Sequence, residues 1–423
     1  MLAVLKKTLK KGIKFSAGIL ILSLIYSFSL KTYDSYSGNG TLQYWKKNKD
    51  LFESVNHNES LSFKNLDIYL SQNNLFLLGE FHGVKETIKI DLNLIKYLNR
   101  KVGMTVHLAE IDFSQAYFLN QYLKSGDEKL IDYVLNTWII YHGHNNKDYK
   151  DKWIEIYKLN KSNLPNLKIQ VYGIDKIQNL NLTQNHLKIL LNKLKLSDDF
   201  PLKESLFLDW AKVKLPKIIA NTDKENMDIV NDILFIRKNL IEYNSVPREN
   251  IMFLNFKSLC ERYDLKDKKI YGYFGEAHVL QKQMGNKKDF GTLIKEDKYF
   301  TDKTYTIISR YLDSKMSAHS KILPFFLRSK NEHKKLEISC DNTFLLYHSG
   351  INELKELTNN DTNTFFDLNQ KNSPYRKSKR LIKSFGLLSL ISGMKIIDKN
   401  SFTSDYAQGV VLIRNSNWAE PSK

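Results

Sequence analysis

The chain has 423 residues, 42% of them hydrophobic and only 7 proline, enough apolar material for a sizeable globular core and too much for a disordered chain. Its 64 basic against 46 acidic residues leave a net charge of +18. The excess is mostly lysine spread along the sequence, with no basic block interleaved with stacking aromatics, so a solvated lysine-rich surface is expected and no nucleic-acid partner. Cys260 and Cys340 form no Cys-x-x-Cys pair and support neither a zinc ribbon nor a disulfide framework. Near the N-terminus, lysines 6, 7, 10, 11 and 14 precede an uncharged run from Phe15 to Leu30. Such a run fits a signal peptide or an N-terminal membrane anchor (residues 1–30), with the favoured reading an anchor. The remaining chain would then lie outside the cytoplasm, or be secreted or periplasmic after cleavage. The polar stretch 31–60 that follows, with Ser35, Ser37, Gly38 and Gly40, reads as a tether.

Beyond residue 60 the pattern becomes strand, helix, strand, helix. Leu75 to Leu78 is an apolar run that stops at Gly79 and releases Glu80, His82, Gly83, Lys85 and Glu86. Apolar steps at Ile88, Leu92, Ile95 and Leu98 predict an amphipathic helix. A second strand, MTVHLAEI, delivers Glu110 to its end; Ser114 is a candidate cap for the next helix. A third strand, LKIQVYGI, ends in Asp175. Helix then follows helix from about 180 to 263, which predicts a helical insertion over the carboxyl edge of the sheet. KIYGYFGEAH, at 269–278, repeats the first motif as a strand running into Gly, Glu, one spacer and His. Further strands are expected at Tyr305–Ser309, Thr343–Tyr347 and Gly409–Ile413. The fold class implied is α/β, a mostly parallel central sheet flanked by helices, built from one domain over 61–423. In such a sheet the strand ends gather on one edge, where ligands bind.

Glu80, His82, Glu86, Glu110, Asp175, Arg248, Glu276 and His278 would therefore share a cleft. Imidazole is the natural base for water near neutral pH, a carboxylate on its other nitrogen fixes the tautomer, and Arg or Lys steadies an oxyanion. That set suits hydrolysis by activated water, and no Gly-x-Ser-x-Gly elbow is present. The same side chains, His82, Glu110 and His278 above all, could instead ligate a divalent metal, although no tight spacing such as His-Glu-x-x-His occurs. His142 and His144 form a further histidine pair in a polar turn, and 375–395 reads as a helix with a basic start.

GEFHGVKE followed by a strand ending in LAEI resembles the opening of the erythromycin esterase-like superfamily. The likeness continues through Trp138 and Trp153, VYGIDKIQ, PRENIMFLN (Arg248, Glu249, Met252, Asn255), GEAHV and YAQGVVLIR, spanning about residues 75–415. It implies that His82 is the base for water, that Glu110 and His278 are its partners, and that Lys85, Glu86 and Arg248 line the cleft. The first motif is one residue shorter between Glu80 and His82 than in the esterases, Lys85 replaces an arginine, and Gly275 replaces the first histidine of the later motif. The shortened motif is also similar to TIKI and ChaN-like proteins, which implies the alternative of a non-catalytic haem- or metal-binding protein. The expectation is thus a hydrolase with catalytic Glu80, His82, Glu110 and His278, and with Lys85, Glu86, Asp175, Arg248 and Glu276 contacting a small-molecule or peptide substrate. The residues do not fix an oligomeric state.

Overall fold

The computed structural model describes residues 2–138, 145–196, 200–201, 203–220, 224–243, 245–323, 325, 328–391 and 395–421, with the side chains of the first helix from residue 25 onward. Helix α1, Leu2–Lys47, leads into strand β1, Phe52–Asn56. The alternation expected from the sequence then follows: β2 Leu75–Glu80, α2 Lys85–Val102, β3 Val106–Asp112, α3 Phe113–Ser125, α4 Glu128–Leu135, α5 Lys147–Ser162 and β4 Gln170–Asp175. Helices α6 Leu180–Lys193, α7 Glu204–Val213, α8 Leu215–Ile219, α9 Met227–Ile241 and α10 Arg248–Arg262 come next. They precede β5 Ile270–Gly275, the one-turn α11 Glu276–Val279, α12 Phe290–Glu296 and β6 Thr304–Leu312. The C-terminal part adds β7 Ser314–His319, β8 His333–Ile338, β9 Asp341–Asn342, β10 Leu346–His348, α13 Ile351–Glu356, β11 Thr362–Asp367, β12 Ser384–Phe385 and β13 Gly409–Arg414.

Eight strands form one sheet in the order β1-β11-β13-β6-β2-β5-β3-β4. From β13 to β4 every pairing is parallel, and only the edge pairings of β11 with β13 and with β1 are antiparallel. This is the mostly parallel α/β sheet that the sequence implies. Parallel sheets are covered on both faces, and every residue of central strand β2 is buried. Because strand side chains alternate, Phe76 and Leu78 join one large core with α2, α3 and α5, whereas Leu75 and Leu77 join a second core under α10 and α12. Helices α6 to α9 of the insertion close on a core of their own, built from Leu187, Leu190, Phe207, Trp210, Ile233 and Ile236.

Two details aim side chains at the strand ends. Strand β3 shifts register against β4 between Ala109 and Asp112. Gly173 faces that bulge because a Cβ there would lie 2.1 Å from the Asp112 carbonyl oxygen, and a bulge of this kind re-aims the neighbouring side chain, here Glu110. Asp112, not Ser114, caps α3, in a reciprocal capping box with Gln115. Burial pushes the Asp112 pKa up to about 6.

The N-terminal expectation is corrected. Among the described residues no helix is long and apolar enough to cross a membrane, so the anchor, and the localisation built on it, are not supported. The uncharged run of Phe15–Leu30 falls short of the ~20 residues a span requires. It sits inside a 46-residue helix that continues through Lys47, where a tether was expected. Asp34 there is buried and accepts hydrogen bonds from Tyr347 Oη at 2.8 Å, Ser349 Oγ at 2.5 Å and the Gly350 amide at 2.9 Å. Trp45 is fully buried beside Tyr375. Gly38, part of the small-residue composition that suggested flexibility, is where α1 meets α13: a Cβ would sit 1.4 Å from Glu353 Oε1. The segment 375–395 is likewise not one helix but a turn at Pro374–Arg376, strand β12 and the short helix Leu387–Ile391. His142 and His144 lie outside the described residues.

Candidate functional site

Strands β2, β3, β4 and β5 end side by side, and their last residues build one charged cluster. Glu80 closes β2, and two residues on His82 turns back so that its Nδ1 lies 2.8 Å from Glu80 Oε1. The other Glu80 oxygen accepts from the Tyr273 hydroxyl of β5. Burial disfavours the His82 imidazolium, but the Glu80 carboxylate, helped by Glu110, outweighs it and raises the pKa above the ordinary histidine value. His82 Nε2 faces Glu110 Oε2 at 4.0 Å.

Glu110 is the hub. Its Oε2 accepts from the Gly275 amide at 2.7 Å, its Oε1 from Arg248 Nη2 at 2.7 Å, and His278 Nε2 lies 3.4 Å from Oε1. The carboxyl is fully buried, which alone would raise its pKa; His278, His82 and Arg248 reverse this and hold it well below the usual carboxylate range. Arg248 opens α10 and forks onto Asp175, with Nε to Oδ1 at 2.9 Å and Nη2 to Oδ2 at 2.6 Å, the planar bidentate geometry that lysine cannot reproduce. His278, on α11, gives its Nδ1 to Glu249 at 2.8 Å. Burial, and Arg248 Nη1 at 3.4 Å, work against a charged ring, yet the flanking carboxylates of Glu110 and Glu249 lift the His278 pKa to about 10. His278 is therefore an imidazolium at neutral pH. Gly275 separates the two imidazoles. A Cβ there would lie 3.1 Å from His82 Nε2 and 3.5 Å from His278 Cδ2.

Of the residues expected at the site, Glu80, His82, Glu110, Asp175, Arg248 and His278 come together. Three point elsewhere. Lys85 pairs with Asp148 at 3.2 Å, and buried Glu86 accepts from Asn363 of β11 at 2.9 Å. Glu276 turns away to pair with Arg310 at 2.5 Å. Tyr273 and Glu249 were not anticipated as site residues. Glu249 had a signal, its place beside Arg248 in PRENIMFLN; Tyr273 had none within an apolar strand run.

A deeper polar layer supports the cluster. Lys152 of α5, 2% exposed, pairs with Asp91 of α2 at 2.7 Å, and Asp91 also accepts from Tyr271 at 2.7 Å. The Lys152 ammonium stands 4.1 Å from the Tyr149 ring centroid and 5.1 Å from that of Tyr273.

The donor set fits a metal poorly. A divalent ion needs three or more ligand atoms that converge on it, and among the described residues no three His, Cys, Asp or Glu ligand atoms of this cluster come within 4.8 Å of one another. Among the described residues, the His, Cys, Asp and Glu ligand atoms that do converge, within 4.8 Å of one another, are those of His319, Glu332 and His333 on the β7–β8 hairpin.

The sheet order and these strand ends define an α/β protein with a histidine, carboxylate and arginine cluster at one edge of its parallel sheet. Its fold is shared with proteins of solved structure. The chain is similar to a Bacillus cereus protein (TM-score 0.64, 16% identity, covering 90% of this chain and 99% of that one) and to a succinoglycan biosynthesis protein (TM-score 0.59, 14% identity, covering 90% and 99%). It is also similar to a mutant of the erythromycin esterase EreC in its open conformation (TM-score 0.56, 13% identity, covering 86% and 98%). The resemblance to the erythromycin esterase-like superfamily read from the sequence fits this shared fold. No protein-family model and no curated protein matches the chain.

Proposed function

We propose that the protein is a hydrolase that uses His82 to activate water against an ester, lactone or amide carbonyl. The observation that carries this reading is the separation of 4.0 Å between His82 Nε2 and Glu110 Oε2, with Glu80 on the opposite ring nitrogen. Two acceptors at that spacing hold a water between them by hydrogen bonds of ordinary length. His82 Nε2 takes the proton as the water oxygen bonds to the carbonyl carbon; Glu80 steadies the imidazolium through Nδ1. The imidazolium then returns the proton to the departing oxygen or nitrogen. Arg248, 28% exposed at its side chain, supplies positive charge for the oxyanion. The fold shared with an erythromycin esterase supports the reaction class and leaves the substrate open.

The test is a panel of aryl esters, lactones and peptides assayed with wild-type protein and with His82→Ala. The reading predicts turnover of at least one member and its loss in the variant. Undiminished turnover by His82→Ala removes His82 from the role of base.

A further inference from the structure

A cavity lies beside the same strand ends. Phe81 and Glu276, the chain neighbours of His82 and Gly275, line this cavity of about 160 Å³. Leu280, Met284, Leu346, Ile382 and Leu388 make most of its wall apolar, and Arg310, Glu276 and His348 form its polar side. Arg310 donates there to Glu276 at 2.5 Å, to the Ser309 carbonyl at 2.8 Å, and twice to the Leu381 carbonyl at 3.0 and 2.6 Å. Its charge is matched by Glu276 and four of its five N–H donors are occupied, so the cavity offers an anion little.

His348 is different. It is 6% exposed, and neither ring nitrogen has a hydrogen-bond partner of ordinary geometry. The Leu381 backbone reaches the ring only as a weak hydrogen-bond partner, and its carbonyl is already taken twice by Arg310. Burial, reinforced by Arg310, holds the His348 pKa well below the usual histidine range. The ring is therefore neutral and presents one N–H donor and one bare acceptor. Buried polar groups in folded proteins almost always have partners, and a cavity wall is where a ligand supplies one. Leu387, the chain neighbour of the lining residue Leu388, is 46% exposed and donates its amide to the carbonyl of Phe344, 63% exposed, at 2.9 Å.

We infer that this cavity binds a compact uncharged group, hydrocarbon over most of its surface and carrying one hydroxyl that pairs with His348. An apolar cavity of about 150 Å³ admits a benzene-sized molecule, which sets the scale at a six-carbon ring or branched chain. A hydroxyl can donate to the bare ring nitrogen or accept from the N–H, and so can pair with whichever His348 nitrogen faces the cavity. A carboxylate would enter without a counter-charge, and a bare hydrocarbon would leave the imidazole unpaired. Such a group would lie against the chain that carries His82 and Gly275, and so would hold the apolar part of the molecule hydrolysed. That last step alone rests on the hydrolase reading.

The test is titration of the full-length protein with benzyl alcohol, toluene and benzoate, followed by ligand-detected NMR. Benzyl alcohol is expected to bind at least tenfold more tightly than either of the others. His348→Leu is expected to bring benzyl alcohol down to the affinity of toluene, and Ser389→Phe, which fills the cavity from the Leu387–Ile391 helix, to weaken benzyl alcohol and toluene at least tenfold. Circular dichroism melts establish folding, and if His348→Leu does not fold, Ser389→Phe decides. Equal binding of the three probes to wild type, or benzyl alcohol binding unchanged by the folded variants, overturns the inference. The readout is binding alone, so a protein without hydrolytic activity leaves it intact.

Discussion

Glu80→Gln keeps the shape of the side chain and removes the charge that raises the His82 pKa. An ion pair at about 4 Å is worth roughly 4 kcal/mol at an effective dielectric near 20, and Glu80 Oε1 is closer than that, 2.8 Å from Nδ1. With 27% of the His82 side chain exposed, solvent screens part of this, and the His82 pKa is expected to fall when the Glu80 charge is removed. Burial, the largest influence on the ring, then pushes the pKa below its ordinary value instead of being outweighed. The base works deprotonated, so the acid limb of the kcat/KM profile moves to lower pH. The rate at the optimum falls on the order of 10²-fold, because a weaker base without a fixed tautomer takes the proton from water. The assay is kcat/KM between ~pH 5 and ~pH 9, the range that brackets an ordinary histidine, with an ester from the panel. An acid limb that stays in place refutes the coupling of Glu80 to His82.

Three further outcomes are expected. His278 has a folded pKa of about 10 against an unfolded value near 6.5. Its contribution to stability is therefore fully present below ~pH 6.5 and lost as the pH rises through about 10, so melting temperature declines over that window in wild type and less in His278→Gln; equal declines contradict this. Gly275→Ala has an ordinary helical or extended backbone available, since φ is −52°, yet places a Cβ 3.1 Å from His82 Nε2. The variant should lose about tenfold or more in kcat while its melting temperature stays within a few degrees, and full activity would count against the crowding argument. Lys152→Met strands Asp91 as a buried charge and should cost about 3–5 kcal/mol in urea unfolding, most of it recovered when Asp91→Leu is added; a harmless single variant would show that the pair is not desolvated as its burial implies.

What the sequence displayed of this site follows from what a one-dimensional pattern carries. Apolar runs bounded by glycine located β2, β3, β4 and β5 and with them Glu80, Glu110 and Asp175, because a strand end is a position along the chain. Side-chain direction was less visible. Lys85 and Glu86 open α2, where successive residues differ in heading by ~100°, and they reach Asp148 and Asn363, not the cleft. Glu276 is one residue beyond Gly275 and turns to the far side, toward Arg310. Strands β1 and β11 were not anticipated, since FESVN and TNTFFD are short and largely polar and pair antiparallel at the sheet edge. Lys152 and Asp91 sit on helices among other charged residues and read as solvated, whereas burial brings them together beneath Glu80. The helix through Lys47 was taken for an anchor because of the uncharged run Phe15–Leu30 and for a tether because Gly38 and the serines around it carry loop composition; the missing side chain at Gly38 is what lets α1 reach α13.

The central claim is that His82 takes a proton from water. Its most direct test is hydrolysis of an ester from the panel by His82→Ala with and without added imidazole. The account predicts a loss on the order of 10²-fold or more, partly restored by imidazole in proportion to its unprotonated fraction, with no such rescue in Glu110→Gln. Hydrolysis that is undiminished in His82→Ala would contradict it.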